Sequence, residues 1–347
     1  MENKNELFAG INGVSGYTPM LEYILSPMKR VYIIKGSSGC GKSTIMKRIA
    51  ARAEAKGLDT VRIHCSSDPD SLDGVMLTNL QIAIADGTAP HTIEPKKYGI
   101  RELTVSLEHS FDYDRLDFFE SRISRLMDKK ASYNRVASAC IAAVGKAEEA
   151  RREYISQSLL DDKLEAFCER FTRRHCKPGS SGTVIAPSDT FCRRGFVTTG
   201  AFTDAANTYT LYDRFGAAEV VLQLLYNYGK AIDADMLLIP CPIDANRLCG
   251  IYYPSTDTLI KSNRYVPFAG EKTIRAARFL DPEKTALYKS RLSALARLED
   301  KLLSEAREAM ISAAEAHGEI EKIYSQCVDF SVTDEITKKL SDRIFKE

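Results

Sequence analysis

An α/β fold that occurs twice along the chain is what the sequence predicts, each copy a domain with a parallel sheet followed by a long helical arm. Three observations carry that expectation. A β-branched run leads directly into a glycine-rich loop and then an amphipathic helix. Further on, apolar residues recur at alternating steps of three and four for many turns. Finally, the segment from Arg62 aligns without gaps to the segment from Leu238.

In chain order, RVYIIK at Arg30–Lys35 is a short β-branched and aromatic run of the kind that forms a buried strand. GSSGCGKST, Gly36–Thr44, follows at once. Ile45, Met46, Ile49 and Ala53 then recur at helical spacing, with Gly57 placed to end the helix in a left-handed conformation. DTVRIHC reads as the next strand. A loop between strand and helix presents unpaired N–H groups and the positive end of the helix dipole to whatever sits above it.

The spacing Gly-x4-Gly-Lys-Ser is met by Gly36, Gly41, Lys42 and Ser43. Glycines let the backbone wrap β- and γ-phosphates, Lys42 supplies a point charge, and the Ser43 hydroxyl can ligate Mg²⁺. Ser37, Ser38, Gly39, Cys40 and Thr44 complete the expected cradle. A phosphate loop is therefore predicted. It is accompanied by no LSGGQ-like segment and no guanine-reading Asn-Lys-x-Asp motif, so ATP is the expected nucleotide.

HCSSDPDSLDGV, His64–Val75, gathers Asp68, Asp70 and Asp73 just past a strand end, the edge at which open parallel sheets hold ligands. Ser and Asp also bond their own backbone, so a capped turn is the plain alternative. In the functional reading, Asp68 or Asp70 orients a water or an acceptor. In LQIAIADGTAPH an apolar run ends in Asp86, an arrangement that delivers a carboxylate to Mg²⁺, with an Asp-Gly turn the alternative and His91 close by in sequence. Lys42, Asp68, Asp70 and Asp86 form the expected catalytic set, and Ser43 with Asp86 the expected metal ligands. His64 and Cys65, or His175 and Cys176 with Cys168 and Cys192, lack the paired C-x2-C spacing of zinc sites. Cys40 stands where a helix start lowers a thiol's pKa, yet a small filler is the simpler reading.

From Leu116 the pattern changes. Leu116, Phe119, Ile123, Leu126, Tyr133, Ala137, Cys140, Val144, Ala147 and Tyr154 follow a coiled-coil seam, interrupted by Lys130 and Arg151. A return helix is expected over Asp162–Arg173, and RRHCKPGSSG reads as a linker. Such arms pack against another helix, in the same chain or in a second copy.

The gap-free match pairs Cys65 with Cys241, Asp68 with Asp244, Leu72 with Leu248 and Gly74 with Gly250. In the arms, ESRISRL at Glu120 resembles KSRLSAL at Lys289, and Ile141 and Tyr154 correspond to Ile311 and Tyr324. The expected organisation is a first copy over 1–176 with its arm at about 114–176, a linker over 177–195, and a second copy over 196–347 with its arm at about 282–347. YDRFGAAEVV, Tyr212–Val221, stands opposite KGSSGCGKST, so Glu219 replaces the lysine and repels phosphate, Val220 offers no hydroxyl, and Ser262 matches Asp86. One phosphate site per chain is the expectation, because a fold does not by itself confer a site. By pseudo-symmetry, Arg214 or Arg247 could reach the bound phosphates.

The LFAG start, the glycine loop, HCSSDPDSLDGV and IADGTAPH together resemble a bacterial family of tandem P-loop proteins described only as ATPases or nucleotide kinases, over nearly the whole chain. The resemblance implies ATP binding and a duplicated P-loop NTPase-like fold; some members look competent in both loops, and this chain departs from them in its second. Hydrolysis of Mg-ATP is the leading expectation. A small-molecule or nucleotide kinase, with its acceptor at Asp68–Asp73, is the alternative enzyme. An ATP-gated interaction protein with negligible turnover is the alternative of another class.

Composition bounds the other partners. Lys and Arg number 48 against 47 Asp and Glu, so a net charge of +1 creates no bulk field for nucleic acid or an anionic membrane. There is no apolar run of spanning length and no signal-like start, so a cytoplasmic protein without a membrane partner is expected. The 9 cysteines do not read as a secreted disulfide framework.

Overall fold

The computed structural model describes residues 6–88, 92–180 and 182–346; His91 lies outside them. The chain begins with β1 (Glu6–Phe8), β2 (Gly10–Gly13), β3 (Gly16–Pro19), α1 (Leu21–Ile24), β4 (Arg30–Lys35), α2 (Lys42–Glu54), β5 (Thr60–His64), β6 (Leu72–Leu77), β7 (Ile82–Asp86), β8 (Glu102–Ser106), α3 (Tyr113–Ser156) and α4 (Asp161–His175). It continues with β9 (Thr183–Ile185), β10 (Asp189–Cys192), β11 (Gly195–Thr198), β12 (Asn207–Tyr212), α5 (Ala217–Ala231), β13 (Met236–Cys241), β14 (Asp244–Tyr253), β15 (Thr258–Ser262), β16 (Lys272–Arg275), α6 (Pro282–Gln326) and α7 (Phe330–Ile344). Apart from α1, the second series repeats the order of the first. Among the described residues no helix is long and apolar enough to cross a membrane.

Contacts gather the described chain into two compact units. The loop unit comprises Asn5–Gly10, Pro19–Ala137 and Glu308–Glu347; the second unit contains Ile11–Thr18 and Ser138–Arg307.

The sheet of the loop unit has the order β1-β5-β6-β7-β4-β8. Only β6 runs against the rest, pairing antiparallel with β5 and β7. The expectation of an all-parallel sheet is thus corrected. The segment between β5 and β6 is closed by Cys65 N–H to the Ser71 carbonyl at 3.0 Å and Ser71 N–H to the Asp68 carbonyl at 2.9 Å, and so tight a connection cannot make a parallel crossover. On one face of this sheet, Ile45, Met46, Ile49 and Ala53 of α2 and Leu340 and Ile344 of α7 cover Tyr32, Ile34, Val75, Leu77 and Ile84. Each large side chain so buried contributes roughly 1.5–3 kcal/mol.

The sheet of the second unit has the order β9-β13-β14-β15-β12-β16, again with a single reversed strand, β14. The register repeats as well. His64 pairs with Leu72 across a bulge, as Pro240 pairs with Leu248 across a bulge, and Ile34 pairs with Asp86 as Leu211 pairs with Ser262. Val221, Leu222 and Leu225 of α5 share the core with Leu164, Cys168 and Phe171 of α4.

Two features depart from the sequence-based organisation. The stretch 177–195 contains β9 and β10, and β9 pairs parallel with β13 as β1 does with β5. Strands of three and four residues are too short to register as hydrophobic runs. Moreover, each sheet is covered by the other series' short helix: α4 lies in the second unit and α7 in the loop unit, while α3 and α6 contribute a part to each. A helix of 44 residues is about 66 Å long, and its two ends belong to different units. Within the loop unit the seam residues Ile123 and Leu126 of α3 pack on Ile320 and Ile323 of α6, so one partner of the arm is in the same chain.

Candidate functional site

The pairing of Ile34 with Asp86 brings the end of β7 beside the start of the glycine loop. Gly39 and Gly41 have φ of 78° and 93°, the left-handed region that side-chain-bearing residues adopt at a cost. Gly36 is required for another reason: a Cβ there would lie 2.8 Å from Cys40 Sγ and 3.2 Å from Leu107 Cβ. Cys40 is fully buried, its thiol donates to the Ser37 carbonyl at 2.9 Å, and burial pushes it up from its ordinary pKa. It fills the loop's interior rather than offering a thiolate.

Lys42 is only 8% exposed. Its Nζ donates to the carbonyls of Gly36 at 2.8 Å and Ser37 at 2.7 Å, and lies 3.6 Å from Asp86 Oδ2. The ammonium is folded back over its own loop, where the loop carbonyls satisfy it. Asp86 Oδ1 accepts from the Thr88 N–H at 2.8 Å and the Thr88 hydroxyl at 2.5 Å. Leu72 N–H donates to Ser43 Oγ at 3.0 Å, which leaves that hydroxyl a proton and a lone pair. One carboxylate and one hydroxyl beside a glycine loop at a helix start would fit Mg²⁺, which takes few protein ligands and completes its shell with other oxygens and water. Among the described residues no group of three or more His, Cys, Asp and Glu could hold a metal by itself.

The three aspartates of the acidic segment separate. Asp73 is buried within β6 beside Cys65, whose thiol burial pushes far up. Asp70 is exposed, and its carbonyl accepts from Lys47 Nζ at 2.7 Å. Asp68 is the one that feels side chains from the arms. There, Lys130 Nζ of α3 lies 2.9 Å from His317 Nδ1 of α6, and His317 Nε2 is 3.6 Å from Glu321 Oε1. Burial pushes His317 down to about 4, with Lys130 acting in the same sense and Asp68 opposing. Burial raises the Glu321 carboxyl, and the charge of Asp68 raises it further. None of these three arm residues was an expected site residue; the sole signal was Lys130 interrupting an apolar seam.

The histidines weighed for zinc are engaged otherwise. His64 Nδ1 lies 2.8 Å from the Pro69 carbonyl, and His175 bridges the Tyr209 hydroxyl at 3.1 Å and the Thr258 hydroxyl at 3.2 Å.

In the second unit the corresponding loop is two residues shorter, Asp213–Gly216 against Gly36–Gly41, and both helices open on a left-handed glycine. Gly216 is therefore the counterpart of Gly41. Ala217 stands at the place of Lys42, Ala218 at that of Ser43, and Glu219 at that of Thr44. The alignment of Glu219 with the lysine is corrected accordingly. Glu219 instead pairs with Arg247, which also bonds Asp244 at 2.8 Å. What fills the loop is Asp213: its Oδ1 accepts from the N–H groups of Phe215 at 3.1 Å, Gly216 at 2.8 Å and Ala217 at 3.1 Å, and its Oδ2 from Ala218 at 3.1 Å. Burial pushes this carboxyl up and the four N–H groups pull it back. The cavity left beside it, about 30 Å³ between Asp213, Arg151, Arg247 and Arg264, has room for little more than a water.

No family model matches this chain, and no curated protein or solved structure does either.

Proposed function

We propose that the chain binds one Mg-ATP at Gly36–Thr44 and performs phosphoryl chemistry there, in the simplest case hydrolysis. The observation that carries this reading is Lys42 seated on the carbonyls of its own glycine loop, 3.6 Å from a carboxylate at the end of the adjacent strand. The N–H groups at the start of α2 hold the β- and γ-phosphates, and Lys42 exchanges its two carbonyl acceptors for phosphate oxygens. Ser43 and Asp86 are the residues that would hold Mg²⁺, whose contribution is to neutralise charge developing on the phosphates. Asp68 orients the attacking water; in a small-molecule or nucleotide kinase it would orient the acceptor hydroxyl.

A second reading, an ATP-gated interaction protein with negligible turnover, is favoured by the arm's closeness to the loop. A Cβ at Gly41 would sit 3.7 Å from Thr333 and 3.9 Å from Phe330 of α7. Occupancy of the loop is then felt by α7 directly. Calorimetric titration of ATP with Mg²⁺, followed by steady-state phosphate release and a metabolite phosphorylation screen, tests these readings. Binding near one per chain with release of phosphate supports hydrolysis, and release only when a metabolite is added supports the kinase. Binding without turnover supports the gated protein, and no binding removes all three.

A further inference from the structure

The glycine loop does not open straight to solvent above Gly39. A Cβ on Gly39 would lie 2.6 Å from the Glu321 carbonyl and 3.2 Å from its Cα, so the backbone of α6 rests on the loop at that point. Three residues earlier on α6, Gly318 has nothing within 4 Å of where its Cβ would be. Glycine inside a helix is unfavourable relative to alanine, and here no packed neighbour demands it. Gly318 lies about one turn before Glu321 and next to His317 on α6, and no side chain occupies the place a Cβ would take there.

Into this region α3 sends a lysine. Lys130 takes a seam position between Leu126 and Tyr133, where the pattern calls for an apolar residue. Its ammonium is bonded to the imidazole of His317, and among the described residues it has no carboxylate within ion-pair distance. Burial pulls the lysine down from its ordinary pKa and the charge of Glu321 offsets this only in part, so an anion arriving nearby would complete the compensation. The second unit supplies a contrast. Counted from the helix starts Tyr113 and Pro282, the position of Lys130 is held in α6 by Glu299, which is buried and paired with Arg151 and, at 3.1 Å, with Arg264. In that unit the arm's cation beside the filled loop is Arg151 of α3, whose Cδ would lie 3.3 Å from a Cβ on Gly216 and which Glu299 neutralises.

We propose that Lys130 is a second cation for the bound triphosphate, carried to its terminal phosphate by the helical arm and held in reserve by His317 until then. This rests on the reading of Gly36–Thr44 as the nucleotide site. His317 and Glu321 are positioning residues: His317 Nδ1 accepts from the lysine, and Glu321 lies toward Nε2. Lys130 thereby makes the γ-phosphate, rather than the nucleotide as a whole, the feature that the seam between α3 and α6 senses.

The test is calorimetric titration of Mg-ATP and Mg-ADP into the full chain as wild type, Lys130→Met, Lys130→Arg and Lys42→Ala. Lys130→Met is expected to weaken ATP about tenfold or more while leaving ADP within about twofold, and Lys130→Arg to recover most of the loss. Equal weakening of ATP and ADP, or none, overturns the proposal. Should Lys130→Met fail to fold, His317→Leu carries the test: without its acceptor, Lys130 should raise the preference for ATP over ADP above that of the wild type, and an unchanged ratio overturns the idea. ATP binding that needs Lys42 but ignores Lys130 removes only this proposal. Absence of ATP binding in the wild type, or binding indifferent to Lys42, removes the nucleotide reading and this proposal with it.

Discussion

Two glycine-led turns open α2 and α5 with nearly the same backbone, Gly41 at φ 93° and ψ 9° and Gly216 at φ 101° and ψ 11°. Their occupants differ. The first residue after β4 is Gly36, which has no side chain, and the loop beyond it curls under a lysine. The first residue after β12 is Asp213, whose carboxylate takes four backbone N–H groups for itself. An anion hole is a property of backbone at a helix start, and the fold supplies one in each unit. Whether it is left for a ligand is decided by one side chain. In the second loop no repulsive charge is needed to explain the difference, because the Asp213 carboxylate already takes the N–H groups an outside anion would use.

The largest effect expected from breaking this contrast is at Lys42. Hydrogen bonds to charged groups contribute roughly 1.5–3 kcal/mol each, so Lys42→Ala should lower ATP affinity by about 10- to 100-fold, with the circular dichroism unchanged. Calorimetry that still gives wild-type affinity would remove the first loop from consideration.

Next comes Asp213→Ala, which strips the acceptor from four N–H groups and should cost about 1–3 kcal/mol in the second unit. Sulfate at tens of millimolar should restore part of that loss in a thermal melt of the variant and have less effect on the wild type. If sulfate stabilises both equally, Asp213 is not standing in for an anion.

Asp86→Asn keeps shape and removes charge. It should raise the Mg²⁺ needed for half-maximal turnover by about tenfold while changing nucleotide affinity less, since the cation loses its carboxylate. An unaltered Mg²⁺ dependence would move the metal's ligand elsewhere.

The smallest effect concerns pH. His317 is pushed down to about 4, so between there and its ordinary value of 6.5 the unfolded chain binds the extra proton. Stability of the loop unit should therefore fall as pH drops from about 6.5 toward 4. Lys130 and Lys42 disfavour the imidazolium, while Asp68 and Glu321 favour it. His317→Leu should flatten the slope of melting temperature against pH in that window; an identical slope would mean that His317 titrates as it does in water.

The glycine loop was legible because a strand, a fixed spacing and an amphipathic helix are all local signals. The pairing of Asp86 with Ser262 was legible too, since both end comparable apolar strands, and the register bears it out. The two-residue shortening of the second loop was not: a single glycine can be matched to Gly39 or to Gly41, and only the helix start decides. The reversed β6 was hidden because six consecutive buried residues look alike in either direction. Lys130, His317 and Glu321 escaped because they come from helices distant in sequence, and a seam pattern does not name its partner.

The exchange of short helices sets an order of completion during synthesis. Every described piece of the second unit has been made once Arg307 is joined, whereas the face of α2 that holds Ile45, Ile49 and Ala53 waits for Leu340 and Ile344. At about 5–20 residues per second that wait is on the order of tens of seconds, during which an apolar surface stays exposed to the ribosome's surroundings. The unit with the filled loop can thus mature first, and the glycine loop gains its covering helix only once Leu340 and Ile344 have followed.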